Sequence, residues 1–379
     1  MSRDGILVSS LGESLSMLTD DPVVRSVPRR WPKRALQLLL AISLSVWALS
    51  VAFQGVSLEV LLLALRQVDY VWALPSLALF YSTFFLRGLR WRQLFLPHHH
   101  VPLGQATGAV LVCFAVNNLF PGRVGDLARV YLIGKRRRLS FATALGTVVA
   151  ERFLDAATLL LCLVGIVAFA PFGEGARFER TVFGRHVLMT DEVFAQIRNR
   201  VLLLFLVLLL AVAGLSVPFC RDRCLAALRV AMFVPKGVRT RIEAAMARFS
   251  EGLSFFQSIR TTLALLAATL AIGAVGALSI QALARGFPFE REMTFIQAFA
   301  LNVIVCVFIA LPAAPGYWGF FEAGTVFSLG VMGIHAEESL AVSFAIVLHL
   351  CQWLPVIPIA LVWLWLSRSR TGEDGQARA

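Results

Sequence analysis

The sequence predicts an all-α polytopic membrane protein: about six full transmembrane helices and two oppositely oriented re-entrant helical hairpins, related as an inverted repeat. Three observations lead there. Apolar residues make up 58% of the 379-residue chain and charged residues only 15%, more apolar material than one soluble core uses. Lys and Arg concentrate in alternate connecting segments. Two apolar stretches are broken by Pro-Gly at matching places.

Residues 1–34 are polar and read as a disordered cytoplasmic tail. A spanning helix needs roughly 20 mostly apolar residues, and segments 36–54, 70–86, 141–170, 201–219, 261–284 and 340–366 of the membrane domain 35–367 meet that test. The first of these begins late and is long enough to span, so no cleavable signal peptide is expected. Residues 229–257 carry Ile242, Met246, Phe249, Leu253 and Phe256 at helical spacing beside Arg239, Arg241 and Arg248, an amphipathic helix for the cytoplasmic face. Residues 368–379 read as a second cytoplasmic tail.

Segments 1–35, 87–92, 123–138, 220–260 and 367–379 together hold 26 Lys/Arg against 10 Asp/Glu, whereas 54–69, 172–200, 285–293 and 335–340 hold 8 against 10. By the positive-inside rule the first set is cytoplasmic and the second external. The formal charge of +12 is therefore a topology signal, with anionic headgroups as a secondary attraction, and no nucleic-acid partner is expected. Both termini are expected to face the cytoplasm.

That assignment leaves one apolar stretch, 103–120, between two basic clusters on the same side. A re-entrant hairpin over 103–134, turning at Pro121-Gly122, resolves the conflict. A second hairpin over 294–334, turning at Pro315-Gly316, enters from outside. The turns read PGRVGDLARVYLIG and PGYWGFFEAGTVFSLG; each has Pro-Gly, two residues, a glycine (Gly125, Gly319), then a carboxylate. Broken segments at corresponding positions of two opposed halves point to a substrate site, and irregular backbone at membrane depth is tolerated only around a cavity or inside protein.

A helix starting after such a break presents free amides and the positive end of its dipole. On a helix through the first turn, Arg123, Asp126 and Arg129 recur every three residues and share a face. With Asn117 and Asn118 they suit a phosphodiester headgroup, since arginine is bidentate toward phosphate; anchoring at the membrane boundary is the plainer alternative. Glu151 and Asp155 share a face of the next helix, with Arg152 turned about 100° away. They suit an ion-pair lock with the arginines, a proton, or a cationic headgroup. Glu322 is either a proton- or headgroup-binding acid or a buried helix cap. Tyr317 and Trp318 read as interfacial aromatics, with a lid over the site as the alternative, His349 and Gln352 as interhelical hydrogen-bond partners, and Arg136, Arg137 and Arg138 as topology determinants. The six cysteines fall mostly in apolar segments and imply no disulfide framework; neither Cys220/Cys224 nor His98-His99-His100 makes a metal site. No cofactor is expected. Phosphate-loop, nucleophile-elbow and zinc-protease motifs are missing from the sequence, so the chain is not expected to be an enzyme.

The ordered set RGLRWRQL, NNLFPGRVGDLARVYLIGKR, TVVAERFLD and LPAAPGYWGFFEAG, covering about 35–367, resembles the flippase-like membrane domain of the lysylphosphatidylglycerol synthase family, found in the bacterial multiple peptide resistance factor. The resemblance implies a stand-alone member, without the soluble synthase domain, that handles lipid: a phospholipid, a hopanoid-type lipid or a polyprenyl-linked lipid. It implies roles for Arg87, Arg90, Trp91, Asn118, Pro121, Gly122, Gly125, Arg129, Glu151, Arg152, Asp155, Pro315, Gly316, Gly319 and Glu322. The alternatives are a membrane subunit supplying lipid to a partner lipid-modifying enzyme, such as a synthase or glycosyltransferase, and an intramembrane enzyme using Glu151, Asp155 or Glu322.

Overall fold

The computed structural model describes residues 57–95, 99–120, 123–169, 178–182, 185–189, 258–310, 315–334 and 337–376, with isolated positions between 43 and 50 and between 196 and 203. All of them belong to one compact unit, Ile42–Ala379. The expected spans at 36–54 and 201–219, the amphipathic helix at 229–257, the tail at 1–34, and Pro121 and Gly122 lie outside the described residues.

The elements in chain order are α1 (Leu58–Arg66), a 3-10 turn (Tyr70–Trp72), α2 (Ala73–Phe95), α3 (Leu103–Leu119), α4 (Gly125–Arg137), α5 (Phe141–Phe169), β1 (Phe178–Val182), β2 (Arg185–Met189), α6 (Ile259–Ala284), α7 (Phe295–Phe308), a 3-10 turn (Pro315–Tyr317), α8 (Phe320–Val331), α9 (Glu338–Trp353) and α10 (Val356–Gln376). Beside the helices there is one short hairpin, in which β1 and β2 pair antiparallel, Val182 opposite Arg185 and Phe178 opposite Met189. This segment interleaves Thr, Val and aromatic residues, which favour extended backbone, with charges.

Among the described residues, Ile259–Ala284 and the stretch Glu338–Ser367 are long and apolar enough to cross a membrane. A third candidate is Glu59–Arg66 with Tyr70–Phe95, bent by 74° at their break. These helices turn large apolar side chains outward: Leu74 is 68% exposed, Ile259 70%, Leu361 60% and Trp365 66%. Two boundaries move. Helix α2 runs on to Phe95, so RGLRWR is helical rather than a basic loop. The last helix continues to Gln376, into the expected tail.

Helices α3 and α4 form an antiparallel hairpin. At its closed end the Gly125 N–H donates to Asn117 Oδ1 at 2.8 Å, and at its open end Arg137 Nε donates to Gln105 Oε1 at 2.8 Å. A Cβ on Gly125 would lie 2.0 Å from the Cys113 carbonyl oxygen, so only glycine permits this approach. Helices α7 and α8 form a second hairpin. Gln297 at the start of α7 donates to the Met332 carbonyl just past α8 at 3.1 Å, while Phe308 meets Gly324 and Phe327 toward the other end. The four helices have 17, 13, 14 and 12 residues, each shorter than the roughly 20 needed to span.

The closed ends of the two hairpins meet. Arg123 Nη2 donates to the Ile309 carbonyl at 3.1 Å, and Asn118 Nδ2 to the Trp353 carbonyl at 3.1 Å. Trp353 is near the middle of the 30-residue stretch Glu338–Ser367. The open end of the first hairpin lies against the far end of that stretch, through Gly108 and Arg136 on Trp363 and Arg136 on Ser367. The open end of the second lies toward the near end, because only residues 332–337 separate α8 from α9. The hairpins thus point at one another. Each has its own apolar core: Trp91, Phe95, Val130, Ile133 and Leu154 pack around the first, and Ile280, Leu301, Leu329, Phe344 and Leu348 around the second.

Candidate functional site

Helix α5 lies along the first hairpin and places its acids against it. Glu151, 3% exposed, accepts from Arg90 Nη2 through Oε1 and from Arg129 Nη1 through Oε2, both at 2.8 Å. Arg90 also donates to Asp155 Oδ1 and, at 2.8 Å, to Thr269 Oγ1 of α6. Arg152 bridges Asp126 at 2.8 Å and Asp155 at 3.3 Å, and Arg129 Nη2 lies 3.0 Å from Asp126 Oδ1. The Arg129 guanidinium stacks over Trp91 at 4.9 Å, whose Nε1 donates to Thr147 Oγ1 at 3.1 Å. Three arginines and three carboxylates form a closed, formally neutral network. Arg90, Arg129 and Glu151 are at its dry centre, while Arg152 and Asp155, 34% and 27% exposed, form its open edge.

The expected site is therefore part lock and part surface. Glu151 and Asp155 do share a face and pair with arginines. Arg123 departs from the expected helix face: it precedes α4 with a left-handed φ of 56° and reaches across to Ile309 instead of lining up with Asp126 and Arg129. Asn117 caps Gly125 and Asn118 ties α3 to Trp353, so both amides make their hydrogen bonds within the protein. Gly125 and Gly319, matched in sequence, also differ. Gly125 is helical and needed for close approach, whereas Gly319 has φ 87° and Gly316 φ 74°. What the turns do share is the second residue after each proline: Arg123 and Tyr317 are both left-handed, at φ 56° and 64°, an uncommon conformation for residues other than glycine.

At the second turn, Glu322 is fully buried. Its Oε2 accepts the Gly319 N–H at 2.7 Å, and its Oε1 lies 2.6 Å from His349 Nδ1. His349 Nε2 lies 2.8 Å from the Gly316 carbonyl. Trp318 packs on the ring rather than lying alone at an interface. Glu322 thus caps the second turn from a buried position and has a histidine partner.

Residue-by-residue reading undervalued Arg90 and Arg87 as topology charges. The signal was present: Arg87, Arg90 and Trp91 keep the i, i+3, i+4 spacing of one helix face. Arg87 stacks over Phe114 at 5.1 Å, and its buried Nε has no hydrogen-bond partner among the described residues. No group of three or more His, Cys, Asp or Glu able to hold a metal occurs among the described residues.

Fold and site define a helical membrane protein with a buried charge network where two opposed hairpins meet. The chain belongs to the family described as the lysylphosphatidylglycerol synthase TM region, whose profile matches residues 37–360. It is also 23% identical over 321 residues to a protein named Glycosyltransferase AglD from Haloferax volcanii, across 81% of this chain. The chain spans about half, 51%, of that relative's length.

Proposed function

We propose that the chain moves a polar-headed membrane lipid between the leaflets of a bacterial cytoplasmic membrane, with both hairpins re-entrant from opposite sides. The reading rests on one observation above the rest: the closed ends of the hairpins meet halfway along Glu338–Ser367, beside a network of six charged side chains. A polar group unpaired in hydrocarbon costs several kcal/mol, and this junction offers it partners. The headgroup meets Arg123 and the open edge, Asp126, Arg152 and Asp155; Arg90, Arg129 and Glu151 hold that edge in shape, and Asn117, Asn118 and Glu322 hold the turns. Anionic or zwitterionic phosphate headgroups fit this balance.

The test is reconstitution of the purified chain in vesicles carrying leaflet-labelled phospholipid. Accelerated exchange that falls at least about tenfold in Arg123→Ala/Arg152→Ala supports transport, about 1.4 kcal/mol in the barrier. Exchange equal in that variant overturns the headgroup assignment. A second reading is favoured by the relative named as a glycosyltransferase: a membrane module delivering lipid to a partner enzyme. It predicts no exchange and no altered lipid from the chain alone.

A further inference from the structure

The His349 ring is held between two groups that the translocation reading does not use as ligands. Nε2 faces the Gly316 carbonyl oxygen at 2.8 Å, which can only accept, so Nε2 carries a hydrogen. Nδ1 faces Glu322 Oε1 at 2.6 Å, and a hydrogen bond there needs a proton between the two atoms. The other carboxylate oxygen already accepts from the Gly319 N–H at 2.7 Å. The pair therefore holds two protons, one on Nε2 and one shared, and is neutral as a unit. Removing the shared proton would set an imidazole lone pair against a carboxylate, both nearly sealed from solvent at 3% and 0% exposure. A buried, unpaired carboxylate is strongly unfavourable, so the proton cannot leave while these distances stand.

We propose that Glu322 and His349 form a proton-binding site whose loading latches the second turn onto α9. The ring grips that turn at both ends, Gly316 through Nε2 and Gly319 through the carboxylate, and Gly316 and Tyr317 within it are left-handed. Phe321 stacks on the ring at 4.3 Å and Trp318 at 4.4 Å. When the shared proton leaves, to a base or water reaching the turn, Nδ1 and Oε1 separate and the turn lifts from α9. Its neighbour is the first hairpin, so the two closed ends part. The ionisable groups on surrounding elements are Tyr317 in the turn, Cys351 of α9, Tyr81 of α2, whose hydroxyl donates to the Gln352 carbonyl, Arg123, Cys113 and Asp126 of the first hairpin and Arg152 of α5 beside Tyr317, and the exposed Glu59 and Arg66 of α1. Among the described residues only Glu322 bonds the ring through an ionisable side chain. The site is independent of which lipid, or whether any lipid, is moved.

The test is tryptophan emission of the full chain in lipid nanodiscs, titrated from about pH 4 to about pH 10. An imidazolium touching an indole quenches it, and Trp318 is the indole in contact. Wild type is expected to brighten reversibly in one step as pH rises. The chain has eight tryptophans, so Trp318→Phe must abolish the step and His349→Gln must remove it. A flat wild-type profile, or the same step in His349→Gln, overturns the proposal. If His349→Gln fails to fold, the near-isosteric Glu322→Gln reports instead: a moved or missing step supports the site, and an unchanged one sinks it.

Discussion

At the scale of single residues, the buried charges set the largest effects. Arg90 holds Glu151 and Asp155 together, so Arg90→Ala takes one of two arginine partners from each acid, and Glu151→Ala takes one of two acid partners from both Arg90 and Arg129. Breaking a buried pair from one side costs about 3–5 kcal/mol, and chemical unfolding in detergent should show a loss of that order for either. Arg152 is one-third exposed, so Arg152→Ala should cost about 1 kcal/mol or less while still impairing lipid exchange. Glycines give an internal control. Gly125→Ala drives a methyl into the Cys113 backbone, whereas a Cβ on Gly104 meets nothing within 4 Å. The first should lower stability by at least about 1–3 kcal/mol, and the second should be neutral or raise it by up to about 1 kcal/mol. The pairing of Glu151 and Asp155 with arginines was legible because helical spacing alone puts them on one face. The identity of their main partner was not: Arg90 is 61 residues from Glu151, and its charge looked like a loop signal until α2 was seen to continue through it.

At the scale of elements, one apolar stretch between two basic clusters assigned to the same side pointed to a hairpin, and α3, α4, α7 and α8 fall within a few residues of 103–134 and 294–334. Their handshake was not legible. Arg123 and Tyr317 adopt left-handed backbone that no composition or periodicity announces, and Arg123 leaves its expected helix face to reach Ile309. The fit of α10 on α3 is similarly a matter of shape. A Cβ on Gly108 would lie 1.7 Å from the Trp363 ring, so Gly108→Val should displace α10. The expected outcome is a red-shifted Trp363 emission and release of the Arg136 stacking at 4.9 Å, with α-helix content by circular dichroism unchanged.

At the scale of the molecule, composition gave the class, since a chain 58% apolar and 15% charged leaves few alternatives, and the ordered motifs gave the family. The hairpin orientation predicts sidedness. Single cysteines at His100 and Lys135, near the open end of the first hairpin, should react with an impermeant thiol reagent from one face of sealed vesicles, and those at Glu290 and Glu337 from the other; all four native side chains are exposed. Labelling of His100→Cys and Lys135→Cys from opposite faces would defeat the opposed-hairpin reading. Because each hairpin starts and finishes at the same level, it leaves the parity of the chain untouched. During biogenesis, excising residues 103–134 should therefore leave every later helix threaded in its original direction, readable from reporters fused downstream, whereas excising α6 should invert everything that follows it.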